Sequence, residues 1–296
     1  LEEELGKVTE TDKILELTSK YEAAKRELDE KMEEWAKSIG IARCTKDPED
    51  VFKADDVDAV FICSSTNTHA DFMIRAAQTG KHIFCEKPIA MNSAQAAEFE
   101  AFEAAHPEVK IGVCLQNRMN ETTEALKAII ESGEYGNIIG IRGFVPWFRN
   151  DGYYSVKPWR GTWKGEGGGI LVNQAPHPQD LWIWLCGMPQ SVYAVCREGA
   201  YRSIDVENDV MVIAKYPNGC QGIFTACSHD LMGTDRMELA FEKGKVILEG
   251  KSKATILRYA KTEQGFGEIY DFRTFSGVLA NTPQEIYTKE ELTDHS

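Results

Sequence analysis

Between residues 11 and 39 the apolar positions recur at three- and four-residue steps. They are Ile14, Leu17, Tyr21, Ala24, Leu28, Met32, Trp35 and Ile39. That period predicts one long amphipathic helix, its stripe packed on a sheet. A coiled-coil partner is the other use of such a stripe. Glu16/Lys20, Glu22/Arg26, Glu27/Lys31 and Glu33/Lys37 stand at i,i+4 spacing on the outer face, where opposite charges attract. Gly40 marks the stop.

The period then changes. Residues 57–63 form a short continuous apolar run, as in a parallel strand covered on both faces. Thr68-His69-Ala70-Asp71 reads as a capping box, with a helix running on through Phe72, Ile74 and Ala77 to Gly80. Residues 82–85 and 110–115 repeat the strand pattern. Between them a helix capped by Asn92 or Ser93 must end by His106-Pro107. Alternating strands and helices specify an α/β, Rossmann-type parallel sheet, and such sheets bind ligands beyond the carboxyl ends of their strands. The segments beginning at Ser64 and Glu86 lie there.

Past Gln116 the texture shifts. A helix is expected over 121–132, a strand over 137–145, and a long loop dense in aromatics and glycine over 146–169. A helix ending at Cys186 and strands over 192–198, 206–216, 220–227, 236–242, 245–248 and 254–259 follow. Pro217-Asn218-Gly219 marks a hairpin. This half reads as an α+β domain with a largely antiparallel open sheet. The expected domains are therefore 1–116 and 117–296.

Composition narrows the function. The 296 residues are 43% hydrophobic and 27% charged, ordinary for a soluble protein with its own core. No apolar run reaches the ~18–20 residues that cross a bilayer, and the acidic start does not resemble a signal peptide. A cytoplasmic protein with no membrane partner is expected. The net charge of −14 argues against nucleic acid as a partner. The eight cysteines form no C-x-x-C pair, and several sit inside apolar runs, so packing thiols rather than disulfides or a metal site are expected.

Three segments could carry chemistry. Cys85-Glu86-Lys87-Pro88 brings a Glu-Lys pair to the sheet edge, and a partly desolvated lysine can exchange a proton near neutral pH. A plain surface turn is the alternative. The second segment runs from Gly167-Gly168-Gly169 to Asn173, His177 and Asp180. Its glycines permit close backbone approach, and its three polar residues share one side of a helical turn. His177 could act as a general base oriented by Asp180, or be a core histidine beside a capping residue. The third is the aromatic loop with Trp147, Phe148, Tyr153, Tyr154, Trp159, Arg160 and Trp163. It could line a pocket for a polyhydroxylated ring, or pack a domain interface.

Together these segments resemble the Gfo/Idh/MocA oxidoreductases. The likeness rests on Ser64-Ser65-Thr66-Asn67-Thr68-His69, Gly80-Lys81-His82, Glu86-Lys87-Pro88 and the glycine run with His177-x-x-Asp180, in that order. It implies an NAD(P)-binding domain joined to an α+β domain, with hydride exchanged between NAD or NADP and a hydroxyl or ketone carbon of a sugar, glycoside or cyclitol. It implies that Ser64, Ser65, Thr66, Asn67 and His69 line the cofactor cleft, with Gln116 and Arg118 on the segment leaving the last strand. Glu86 would meet the nicotinamide end, Lys87 both cofactor and substrate, and His177 would be the acid/base. Asn173, Tyr154, Trp159, Arg160 and Asp180 would bind substrate. A homodimer or homotetramer through the C-terminal sheet is implied as well. Many members carry Asp where Asn173 stands. Asn cannot ionise, so more weight falls on Lys87 and His177. The family's opening strand and G-x-G-x-x-G turn are not found, so a first domain lacking them is expected: a piece of a longer chain or a degenerate cofactor site. A non-catalytic ligand sensor on the same scaffold is the alternative.

Overall fold

The structure, a computed structural model, describes residues 11–250, 252–260 and 287–294. It divides into two compact units, Leu1–Val60 and Phe61–Ser296.

The first unit is dominated by helix α1, Thr11–Ser38. Glu16–Lys20 and Glu27–Lys31 close at 2.6 Å and Glu33–Lys37 at 3.9 Å. Leu28 and Trp35 stay 66% and 61% exposed, and the buried position is Ala36. The chain reverses at Gly40 (φ +79°), and the Ile41 N–H bonds back to the Ala36 carbonyl at 2.9 Å. A short helix α2, Pro48–Phe52, follows, with the Asp47 side chain accepting from the Glu49 N–H.

Strand β1 (Ala59–Ile62) leads through helix α3 (Thr66–Gln78) to β2 (His82–Cys85), then through helix α4 (Ser93–Ala105) to β3 (Ile111–Val113). The sheet order is β1-β2-β3, with β2 and β3 parallel. Helix α3 starts earlier than expected. Ser65 is its N-cap residue, so the Thr68–Asp71 box lies inside the helix, where Thr68 Oγ1 donates to the Ser65 carbonyl (2.8 Å) and Asp71 pairs with Arg75 (2.7 Å). Asn92 caps α4 by accepting from the Gln95 N–H at 3.0 Å.

A 3-10 turn (Gln116–Met119) and helix α5 (Glu121–Glu131) lead into an eight-stranded sheet. Its strands are β4 (Ile138–Pro146), β5 (Ser191–Glu198), β6 (Glu207–Lys215), β7 (Gln221–Cys227), β8 (Arg236–Phe241), β9 (Gly244–Glu249), β10 (Lys253–Tyr259) and β11 (Tyr287–Thr293). The order is β11-β10-β9-β8-β4-β7-β6-β5. Every neighbouring pair is antiparallel except β4 and β7. Gly219, at φ +86°, turns the hairpin between β6 and β7. The edge strand β11 carried no pattern that marked it in advance.

Between β4 and β5 the expected loop contains two short helices, α6 (Asp151–Ser155) and α7 (Trp163–Glu166), capped by Asn150 and Thr162. Helix α8, Pro176–Cys186, then lies across one face of the large sheet. Trp182 sits against Gly143 and Gly222, where a Cβ would come within 2.9 and 2.5 Å of its ring. Its indole N–H donates to the Tyr216 hydroxyl, and its ring meets Phe224 edge-on at 5.5 Å. Burying these large rings over glycine provides much of the apolar stabilisation that docks α8, about 2–3 kcal/mol per such side chain.

Candidate active site

The Glu86 N–H donates to the Ile62 carbonyl at 2.9 Å, extending the small sheet by one residue and delivering Glu86 and Lys87 at its carboxyl edge. The ring of His69, 1% exposed, stands between two carbonyls there: Nδ1 lies 2.7 Å from the Pro88 oxygen and Nε2 3.1 Å from the Ser64 oxygen. It ties the start of α3 to the Glu-Lys-Pro turn. Lys87 Nζ reaches across to donate to the Asn173 carbonyl at 2.6 Å. Burial lowers the Lys87 pKa, and the charges of Glu86 and Glu166 oppose that shift without cancelling it.

The glycine run is shaped by Glu207. Its carboxylate, 5% exposed, accepts from the N–H groups of Gly169 (2.8 Å) and Leu171 (3.1 Å), and its carbonyl accepts from Ile170 (2.9 Å). A Cβ on Gly169 would fall 1.8 Å from that carbonyl oxygen. The close approach is thus between two segments of the protein's own backbone, and it seats Asn173 and His177. The Asn173 amide donates to Glu166 Oε1, and the Gly161 N–H donates to Oε2 at 2.6 Å. Burial pushes the Glu166 pKa up.

Two clefts meet here. The smaller, of about 190 Å³, is lined by Ser64, Thr66, His69, Glu86, Pro88, Trp159, Arg160 and Glu166, among others. The larger, of about 560 Å³, is lined by Gln116, Trp147, Phe148, Arg149, Tyr153, Gln174, His177 and Asp235, among others. Lys87 and Asn173 line both. Gln116 Nε2 stands 3.5 Å from His177 Nε2. Among the described residues, no three His, Cys, Asp or Glu side chains gather to hold a metal ion.

Family models cover most of the chain. "Oxidoreductase family, NAD-binding Rossmann fold" matches residues 4–113, and "GFO/IDH/MocA C-terminal domain" matches residues 123–247. Over 257 residues the chain is 32% identical to scyllo-inositol 2-dehydrogenase (NAD(+)) of Bacillus subtilis, covering 82% of this chain and 70% of that protein. The chain belongs to the Gfo/Idh/MocA family. Myo-inositol 2-dehydrogenase of Thermotoga maritima is 26% identical over 255 residues, 82% of this chain and 72% of the relative. The WlbA dehydrogenase of Bordetella pertussis, solved with NADH and UDP-GlcNAcA, superposes with a TM-score of 0.67 at 29% identity, over 73% of this chain. The Gfo/Idh/MocA chain described here spans 63% and 67% of the two WlbA chains it matches.

The structure gathers most of the residues expected at a Gfo/Idh/MocA site and sets a few aside. Ser65 stands at the N-cap position of α3 without a side-chain capping bond, and neither Ser65 nor Asn67 lines either cleft. Tyr154, 7% exposed, packs edge-on behind Tyr153 as wall rather than contact. Asp180 does not orient His177. Its carboxylate takes a two-point bond from Arg118, whose guanidinium lies 5.6 Å over the Trp184 ring. The charge of each is spent on the other, because α8 turns Asp180 toward the 3-10 turn that carries Arg118. Packing also joins what the sequence divides. Lys87, at the edge of the small sheet, bonds to Asn173, 86 residues further along the chain. Sequence reasoning missed Glu166, Glu207 and Arg149. No motif flags them; the signal was only a buried acid beside a glycine run.

Proposed function

We propose that this family member transfers a hydride between NAD and a hydroxyl or ketone carbon of a sugar, glycoside or cyclitol. The observation that carries the proposal is Lys87. It follows the parallel strand and lies on the border shared by a hydroxyl- and carboxylate-bearing strand-edge cleft and an aromatic-walled cleft holding His177. The polar lining of the smaller cleft, hydroxyls from Ser64 and Thr66 and an accepting carboxylate from Glu86, suits the hydrogen-bonding groups of a nicotinamide nucleotide. When bound, that cofactor supplies the hydride acceptor or donor. In this reading the cofactor-binding part extends to about Gln116. The same reading supports a reducing cytoplasmic location, with all eight thiols free. The alternative of a non-catalytic sensor draws no support from relatives, whose names are those of dehydrogenases and reductases.

His177 takes the hydroxyl proton as the carbon is oxidised and returns it in reduction. Gln116 holds the imidazole edge, and the Asn173 amide, anchored by Glu166, presents a fixed hydrogen-bonding group to a hydroxyl. Lys87 draws the reacting oxygen with an ammonium that burial makes a readier donor. The test is NADH formation by the protein with NAD and a panel of myo-inositol, scyllo-inositol, glucose and levoglucosan. Absence of both turnover and NAD binding ends the proposal. His177→Ala is expected to lower kcat by about 10²-fold, with Lys87 left to polarise the oxygen. Wild-type kcat in that variant would remove the role.

The outward face of the large sheet belongs to the same proposal as a homodimer or homotetramer surface. Tyr193, Val195, Met211, Ile213 and Ile223 lie exposed on neighbouring strands β5, β6 and β7. An apolar patch of that kind on a sheet face favours association. Ile213→Glu is expected to shift the sedimentation coefficient to that of a single chain. A wild-type protein that sediments as a single chain discards this surface.

A further inference from the structure

We infer that the substrate carries an anionic group, a carboxylate or a phosphate, which Arg149 receives in the larger cleft. The inference rests on the proposed reading only in taking the anion's carrier to be a sugar-like molecule.

The argument begins with charge. The chain carries a net charge of −14, and its arginines are mostly neutralised nearby. Arg43, Arg75, Arg118, Arg142, Arg197, Arg236 and Arg258 each pair with a carboxylate. Beyond the exposed helix α1, the described arginines without such a partner are Arg149, Arg160 and Arg202, all at or beneath the cleft wall. Two of these have other employment. Arg202 is spent on the carbonyls of Arg149, Tyr201 and Ser228. Arg160 donates to the Tyr153 carbonyl at 3.3 Å and lines the smaller cleft with Glu166, not the larger one.

Arg149 is different. It lines the larger cleft with Lys87 and His177. Its one hydrogen bond runs from Nη1 to the Phe148 carbonyl at 2.8 Å, which leaves most of its five N–H groups for a ligand. The guanidinium lies 5.8 Å from the Trp147 ring centroid and 5.2 Å from that of Tyr153, two aromatic faces that also line the cleft. Both ends of the residue are fixed: its N–H donates to the Ser228 carbonyl at 2.9 Å, and its carbonyl accepts from Arg202. Asp235 is the carboxylate that lines this cleft.

A half-buried guanidinium, stacked on two rings and tethered at its backbone, is held in place to receive an anion. Its planar fork suits two oxygens of a carboxylate or a phosphate. A neutral cyclitol or hexose would leave that fork empty. The geometry therefore sets Arg149 as a specificity-determining residue, distinct from Lys87 and His177, which serve the reacting carbon.

The test measures binding directly by isothermal titration, so that it does not depend on turnover. D-glucuronate, D-glucose 6-phosphate and D-glucose are titrated into the protein saturated with NAD. One anion, or both, is expected to bind roughly 10–100-fold tighter than glucose, and which one does so identifies carboxylate or phosphate. That preference should fall with added salt. Arg149→Met should abolish it, while Arg149→Lys keeps part of it. Equal affinity for all three sugars, no measurable binding of either anion, or an anion preference that survives in Arg149→Met overturns the inference. The wild-type comparison stands even where a variant fails to fold. An intact anion preference without NAD-linked turnover would instead remove the oxidoreductase reading and leave this one in place.

Discussion

Lys87→Ala is expected to lower kcat by about 10³-fold or more, toward the upper end of the ~10²–10⁴ range for a positioned proton donor. The loss should exceed that of His177→Ala, because Lys87 lines both clefts and His177 only one. The pH profile gives an independent readout. Burial lowers the Lys87 pKa from its model-compound value of 10.5, so the basic limb of the rate profile should fall below that value and vanish in the variant. The sign for stability follows from the same shift. Between the lowered value and 10.5 the unfolded chain binds more protons than the folded one, so this residue's contribution to stability rises with pH across that window. Below the window the cost of burying the ammonium is felt in full. Lys87→Met should therefore flatten the stability curve there, measured by urea denaturation. A variant with unchanged kcat and an unchanged basic limb would show that Lys87 is only a structural tether to Asn173.

Gly169→Ala should be the most damaging conservative change in the glycine run. Its new methyl group would stand 1.8 Å from the Glu207 carbonyl oxygen, a backbone atom already held by the Ile170 N–H. One of the two segments must move. The expected loss is about 3 kcal/mol or more, the upper end for an overpacked site, seen as a Tm drop of roughly 6 °C or more. Gly168→Ala makes a useful contrast. The methyl group there would meet Val172 Cγ2 at 2.6 Å, a side-chain atom rather than backbone. Its Tm should fall less. Because the displaced segment seats Asn173 and His177, Gly169→Ala should lose activity even at temperatures where it remains folded. A wild-type Tm and kcat for Gly169→Ala would show that the approach to Glu207 is looser than described.

The legible features were those written in local periods and local chemistry. Residues 57–63, 82–85 and 110–115 are short apolar runs and three strands form within them, but the expected cover on both faces is not met, since β1 buries alternate positions and leaves Phe61 73% exposed. Asn92, Gly80, Gly187 and Gly219 mark their turns because a cap or a left-handed φ depends on one residue and its immediate neighbours. The strand-edge position of Glu86 and Lys87 followed from chain order alone. Helix α1 shows the limit of a period. A stripe states which residues could be buried, and Leu28 and Trp35 are not.

Residues a few positions apart sufficed for most of the strands and helices, for the largely antiparallel second sheet and for the segments that bear chemistry, but not for β11, α6 or α7. Which polar groups are spent on the protein itself depends on contacts between distant segments. Asp180 stands three residues from His177 along the chain and bonds to Arg118 instead; Lys87 reaches Asn173; Glu166 and Glu207 come to lie beneath the site. These pairings join residues separated by as many as 86 positions. A charge is satisfied by whichever partner the fold brings within hydrogen-bond distance. That distance is set by packing between elements, and no spacing along the chain encodes it.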